Sequence, residues 1–129
     1  MNLEELLATM PFALATGVEL TAAEPTECRG RLPWAPERTT LGGALHGGAL
    51  MTLADSVGAV CAFLNLPEGA GTSTLSSSTN LLRGVREGYV EAVARPLHVG
   101  RSTVVVVTEV RDGAGRLVSS TTQTQAVLT

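Results

Sequence analysis

The first third of the chain alternates between short apolar segments and turn-forming residues. Leucines and methionines recur at helical spacing from Asn2 to Met10, which predicts a short amphipathic helix that Pro11 closes. Two β-like segments, residues 17–23 and 28–32, flank a proline-containing turn. The prolines and glycines that follow predict an irregular loop before the next regular element.

A long apolar segment comes next. From residue 47 to residue 64, apolar side chains occupy nearly every face of a helix, and a Pro-Glu-Gly-Ala-Gly segment ends it. A helix that is apolar all round is typical of a protein core, so we expect a buried helix. Its only charged side chain is Asp55, and a central Asp opposes membrane insertion. We therefore expect no membrane partner.

The remainder of the chain is β-like. Strands are predicted at residues 73–82, 88–98, 102–111 and 117–128, with turn-forming residues between them. The strand that contains the valine run 104–107 is the most clearly predicted, because β-branched side chains crowd a helix but fit a pleated surface. A helix followed by antiparallel strands buries both partners when the sheet wraps the helix, which predicts an α+β architecture.

Composition and charge exclude several classes of protein. The 129 residues fit a single domain, residues 1–129. The net charge is −3, and the chain has neither a basic stripe nor many aromatic side chains, which argues against nucleic-acid binding. Cys28 and Cys61 are far apart in sequence and predict buried thiols in a reducing compartment. The N-terminus lacks the positive region of a signal peptide, so we expect a cytoplasmic protein.

The long helix carries the candidate chemistry. His46, Gly47 and Gly48 stand where it begins, and Asp55 follows two turns later. The N–H groups of a first helical turn lack intrahelical acceptors and can stabilise a carbonyl oxygen that gains negative charge. A carboxylate in an apolar helix is costly unless it is paired or used. We interpret Asp55 as the reacting group, Gly47 as an oxyanion donor and His46 as a positioning group.

Structural interpretations of the same residues stay open. Asp55 could be held by the hydroxyl of Thr52 or Ser56 or by backbone N–H groups, and His46 could be a capping or loop-packing group. No serine lies in a Gly-x-Ser-x-Gly elbow, and the sequence contains neither a phosphate-binding loop nor metal-ligand spacing.

The spacing of the two main candidates has a geometric consequence. Gly47 and Asp55 are eight residues apart, which is about 12 Å along a helix. Two groups that act on one carbonyl must both lie within roughly 3 Å of it. If both residues act, they must come from different chains, which predicts a homodimer with shared active sites.

Three motifs carry a resemblance to a known family. They are Leu-His-Gly-Gly at 45–48 with Leu-Ala-Asp-Ser at 53–56, Asn-Leu-Leu-Arg at 80–83, and Arg-Pro-Leu-His-Val-Gly-Arg at 95–101. The chain resembles the hotdog thioesterases of the phenylacetate-pathway and 4-hydroxybenzoyl-CoA (Arthrobacter-type) group over most of residues 12–128. The resemblance implies a hotdog fold, in which a curved antiparallel sheet wraps one long central helix.

The resemblance also implies an activity and an assembly. In such relatives a helix carboxylate attacks an acyl-CoA thioester or activates water, and a glycine N–H polarises the carbonyl; these roles fall on Asp55 and Gly47. No metal and no cofactor beyond the coenzyme A of the substrate is implied, and homotetramers built from dimers are expected. Basic residues near strand ends meet the coenzyme A phosphates in this group, although surface charge explains them equally well. The candidate substrate-binding residues are Gly48, Thr40, Ser56, Arg83, His98 and Arg101.

Two departures from the family pattern keep other functions open. Relatives place Asn or Gln six or seven residues before the His, where this chain has Thr39 and Thr40, and many carry Ser or Thr where it has Ala59. A hotdog module that binds or senses acyl-CoA without turnover is therefore an alternative. A hotdog dehydratase is a third, but the chain lacks the proline-rich His motif of that class.

Overall fold

A computed structural model describes all 129 residues, Met1 to Thr129. The helices are α1 (Leu3–Ala8), α2 (Pro11–Thr16) and α3 (Gly47–Leu64), and a short 3-10 turn covers Pro36–Arg38. The strands are β1 (Glu19–Glu24), β2 (Glu27–Pro33), β3 (Gly71–Leu81), β4 (Tyr89–Val99), β5 (Thr103–Asp112) and β6 (Leu117–Leu128). They form one antiparallel sheet in the order β1-β2-β4-β5-β6-β3.

The sheet curves around α3, and this confirms the predicted α+β, hotdog-type layout. Alternate residues of β5 point toward the helix, where Val104, Val106 and Val110 are fully buried. They meet apolar side chains of α3 such as Leu53 and Val57, which are also fully buried. The period of two in the strand and the helical spacing in α3 therefore build one shared core.

The N-terminal segment differs from the prediction of a single helix. Asn2 caps α1 by accepting a hydrogen bond from the N–H of Glu5 at 2.8 Å, and α1 ends at Ala8. Pro11 does not close this helix but begins α2, because a first helical position needs no N–H donor. Gly17, with φ of 103°, ends α2 in the left-handed conformation that glycine adopts without strain.

The long helix begins and ends at the predicted residues, but the prediction of complete burial was wrong. One stripe of α3 is open to solvent: Met51 is 44% exposed, Phe63 is 43% exposed, and Asp55 between them is exposed too. By length and composition α3 could cross a membrane, yet half of it is buried inside the chain against the sheet. It is therefore the core helix of this fold, with one uncovered side.

The two edges of the sheet are built differently. The edge strand β1 has six residues, a glutamate at each end and a bulge between Leu20 and Ala22. The opposite edge, β3, has eleven residues, no charged side chain and no proline, and it is exposed on both faces. β3 pairs with β6 alone, so the link to β4 crosses the end of the sheet instead of forming a hairpin. Its other backbone edge is free.

The two cysteines confirm the prediction of buried, unpaired thiols. Cys28 on β2 and Cys61 on α3 are both fully buried and free. The neighbouring thiol of Cys28, and after it burial, raise the pKa of Cys61. Because the thiolate is the reactive form, Cys61 is an inert packing group between helix and sheet.

Candidate active site

The first turn of α3 presents one free amide. His46 is the N-cap residue, and its Nδ1 accepts a hydrogen bond from the N–H of Gly48 at 2.8 Å. The N–H of Gly47 makes no hydrogen bond within the chain. Gly47 therefore offers an unpaired donor at the positive end of an 18-residue helix, the arrangement that stabilises an oxyanion.

The His46 ring is a cap in this structure, which was the structural interpretation of this residue. Because Nδ1 accepts from Gly48, a neutral ring carries its proton on Nε2. That Nε2–H remains available as a second donor beside the helix terminus. The ring is exposed, so capping does not prevent it from meeting a ligand.

Thr39 and Thr40 stand where relatives carry an Asn or Gln, and the loop before α3 gives these two threonines different surroundings. Thr39 lines a groove of about 550 Å³, here called the cap groove, together with His46 and Gly48. Thr39 donates its hydroxyl hydrogen to the carbonyl of Pro36 at 2.7 Å. Thr40 lies in the following turn, where its backbone bonds to residues 43 and 44, and it lines none of the grooves around α3.

Asp55 lies at the middle of the exposed stripe of α3. Its Oδ1 accepts one hydrogen bond, from Nε2 of Gln123 at 3.4 Å, and it forms no salt bridge. Although the residue is exposed in the single chain, nearby apolar atoms remove enough solvent to raise the pKa of Asp55. The hydrogen bond from Gln123 opposes that shift. Asp55 is thus a partly desolvated carboxylate with no counter-charge.

The hydroxyl groups next to Asp55 do not hold it. Thr52 donates its hydroxyl hydrogen to the carbonyl of Gly48 at 2.8 Å, and Ser56 donates to the carbonyl of Thr52 at 2.6 Å. Both hydroxyl hydrogens are bonded to the helix's own backbone. A structural Asp fixed by these hydroxyls, the alternative interpretation, is therefore wrong for this structure.

Two further grooves flank the central helix. The carboxylate groove, about 390 Å³, contains Asp55 and Ser56 and shares Phe12 and Thr52 with the cap groove. The arginine groove, about 330 Å³, contains Gly47 and Arg83 together with apolar residues such as Leu81 and Leu82. Gly47 and Asp55 thus line different grooves of one chain, as their separation along a continuous helix requires.

Comparison with known families identifies the chain. The family model of the thioesterase superfamily matches residues 42–119, which include α3 and most of the sheet. The chain belongs to the thioesterase superfamily.

Individual relatives agree with this membership. A Vibrio cholerae protein described as a candidate esterase is 44% identical over 85 residues, which cover 66% of this chain but only 57% of that protein. The 1,4-dihydroxy-2-naphthoyl-CoA hydrolase of Escherichia coli is 36% identical over 109 residues, 84% of this chain and 74% of that enzyme. The phenylacetic acid degradation protein PaaI of Thermus thermophilus, a solved structure of a single-residue variant, is 30% identical with a TM-score of 0.84, covering 92% of this chain and 99% of PaaI. The resemblance identified from the sequence motifs is confirmed.

This superfamily member does not bring all its candidate residues together within one chain. Arg83 lies beside Gly47 in the arginine groove. His98 and Arg101 lie at the β4–β5 hairpin, where Ser102 accepts a hydrogen bond from Val127 at the end of β6. Because the end of β6 pairs with the start of β3, this hairpin lies at the opposite end of the sheet from Leu81 and Arg83. Within one chain these basic residues form two separate groups.

Sequence reasoning missed Gln123, the one hydrogen-bond partner of Asp55. The sequence did carry a signal: four successive inward positions of β6 are polar, and their side chains are buried where hydrophobic ones are the rule. The inward row of β6 is Ser119, Thr121, Gln123 and Gln125. No group of three or more His, Cys, Asp or Glu side chains could hold a metal ion.

Proposed function

We propose that this thioesterase hydrolyses acyl-CoA thioesters, with Asp55 as the reacting carboxylate and the N–H of Gly47 as the oxyanion donor. The observation that carries the proposal is the state of Asp55, a carboxylate with a raised pKa, no counter-charge and a position in an open groove. A group of this kind is suited to attack or to accept a proton near neutral pH. The coenzyme A part of the substrate is supported by the E. coli relative, whose name specifies a CoA thioester.

Two routes are consistent with this arrangement. In the first, an Asp55 oxygen attacks the thioester carbon and expels coenzyme A as a thiolate; water then hydrolyses the mixed anhydride and restores the carboxylate. In the second, Asp55 accepts a proton from a water molecule, whose oxygen attacks the same carbon while the thiolate leaves. In both routes negative charge builds on the carbonyl oxygen, where the Gly47 N–H stabilises it.

The site is built from two subunits in this proposal. Gly47 and Asp55 are about 12 Å apart along α3, too far to reach one carbonyl from one chain. The free edge of β3 supplies the means of pairing, because it is long, uncharged and lies beside the exposed stripe of α3. The opposite edge is shortened, bulged and acidic at both ends, features that block pairing. We propose a homodimer through β3 in which Asp55 of each subunit faces Gly47 of the other. The homotetramer and the cytoplasmic location stay predictions.

Subunit complementation tests the shared site. Asp55→Asn and Gly47→Pro variants, each inactive alone, are co-refolded in equal amounts and assayed for thiol release from benzoyl-CoA and hexanoyl-CoA. Half of the dimers are then mixed, and each mixed dimer has one intact site, so we expect about a quarter of wild-type activity to return. Separately refolded samples mixed without dissociation are the control. If co-refolding restores no activity while mixed dimers form, the shared site is wrong.

Arg83 is the better placed of the two arginine candidates for the coenzyme A phosphates. It lies beside Gly47, where the thioester would sit, whereas Arg101 could reach that region only from the partner subunit. We expect Arg83→Gln to raise KM for acyl-CoA about fivefold to tenfold with a smaller change in kcat, and to weaken the salt dependence of KM. Arg31→Gln, on the outer face of β2, is the control. An unchanged KM at low ionic strength would remove Arg83 from the binding site.

A further inference from the structure

A buried amide lies beneath α3 at the point where the reacting carboxylate is attached. Gln123 is fully buried on the inward row of β6, and its Nε2 donates to Oδ1 of Asp55 at 3.4 Å. The distance is at the long end for such a bond, as is common for active-site contacts that tighten when substrate binds. Burying a glutamine here is costly unless its amide is used. Its oxygen, Oε1, has no partner in the chain.

A glycine in α3 leaves the space that this amide occupies. Gly58 lies one turn after Asp55, and a Cβ at Gly58 would overlap Oε1 of Gln123 and lie 2.8 Å from its Cδ. The same position is 3.2 Å from Oγ1 of Thr108 on β5, another buried polar atom without a partner. A Cβ at position 58 would therefore force the amide of Gln123 out of its present position. Glycine weakens a helix interior, so helix propensity does not explain Gly58, whereas the space that the Gln123 amide occupies does.

The amide acts on only one side of the carboxylate. Gln123 holds Oδ1, whereas Oδ2 accepts no hydrogen bond within the chain, and Asp55 lines the carboxylate groove. No charged group competes for this role, because α2, β3 and β6 contribute only neutral side chains around Asp55. The residues of α2 and β3 that line the groove with Asp55 are Phe12, Ala13 and Ser77.

We propose that Gln123 is a positioning residue, whose buried amide fixes Oδ1 of Asp55 and aims Oδ2 at the thioester. This inference rests on the proposed role of Asp55. Gly58 supplies the space that the amide needs. Gln123 also favours the ionised carboxylate, because a donor stabilises the charged form.

The chain contains a matched control for this role. Gln125 is the next inward residue of β6 and equally buried, but its amide bonds to Thr72 and Thr74 of β3 instead of Asp55. Replacing either glutamine with methionine keeps the side-chain length and removes the amide. A purely structural role would affect both variants alike, whereas a positioning role affects only one.

The test is the pH dependence of kcat for Gln123→Met and Gln125→Met, measured by thiol release from benzoyl-CoA and hexanoyl-CoA. Loss of the amide raises the pKa of Asp55 further, so the acidic limb of the Gln123→Met profile moves to higher pH and kcat falls about tenfold, with KM nearly unchanged. Gln125→Met keeps the wild-type limb. Gly58→Ala, which retains both glutamines, reproduces the shift by displacing the amide, and it serves if Gln123→Met does not fold.

The outcomes separate this inference from the proposed function. The positioning role is overturned if the acidic limb of the kcat profile stays at its wild-type pH in both Gln123→Met and Gly58→Ala. It is also overturned if Gln125→Met shifts that limb as far as Gln123→Met does. If Asp55→Asn retains wild-type turnover, the proposed function itself fails, whatever the Gln123 variants show.

Discussion

Asp55→Asn will lower thioester hydrolysis by about a thousandfold while leaving the fold and ligand binding intact. The amide keeps the shape of the carboxylate but can neither attack the thioester nor accept a proton from water, and a positioned base contributes about 10²–10⁴ in rate. Asp55 makes no salt bridge and a single hydrogen bond to a neutral amide, so the substitution breaks no ion pair. It also removes a partly desolvated charge, so the melting temperature will not fall.

The control for this variant is the other aspartate of the chain. Asp112 holds the β5–β6 turn by accepting hydrogen bonds from the backbone of Ala114 and Arg116. Asp112→Asn should lower stability and keep turnover, the reverse of Asp55→Asn. The measurements are thiol release from a panel of acyl-CoAs and the shift in melting temperature that each acyl-CoA produces. Wild-type protein that is stabilised by acyl-CoA and releases no thiol would favour the sensing module over the enzyme.

Gly47→Pro will lower kcat about 10²- to 10³-fold, because it deletes the one N–H assigned to the oxyanion. Proline is tolerated at the first position of a helix, and it restricts the preceding residue to extended conformations. His46 already has φ of −63° and ψ of 135°, which satisfies that restriction. The helix should therefore form as before, with a single donor missing.

Gly47→Ala isolates the loss of the donor from the added bulk. A Cβ at position 47 would lie 2.6 Å from Cδ1 of Leu81, the far end of a side chain that is 50% exposed and free to move. Proline and alanine both carry this Cβ, but only alanine keeps the N–H. We expect alanine to retain most of the activity. Equal activity in the two variants would show that the Gly47 amide does not contact the transition state.

The fold could be predicted from the sequence where the signals were local. The glycine pair and the Pro-Glu-Gly segment correctly predicted the two ends of α3. The β-branched segments predicted the bounds of the later strands to within a few residues. The break between α1 and α2 was missed because Pro11 is equally compatible with ending one helix and beginning another. The position of β3 beside β6 was not predicted, because strand order depends on contacts between residues far apart in sequence.

The site was predicted only in its local part. Gly47 and Asp55 stand out within one helix, since an acid among apolar residues and a glycine at a helix start each have a chemical reason. Gln123 lies 68 residues from Asp55, and only the folded sheet brings the two together. The exposure of Asp55 was mispredicted for the same reason: an apolar helix indicates that a face is covered, but not whether the same chain covers it.

The free edge of β3 has a consequence for the behaviour of the chain in solution. An exposed strand without charge or proline is a template for aggregation, and natural proteins avoid leaving one open. Eleven such residues run from Gly71 to Leu81. Subunit pairing through this strand would therefore keep the protein soluble as well as complete its chemistry. A substitution that weakens the pairing would therefore lower the amount of the protein in the cell before it measurably lowered the rate of the enzyme.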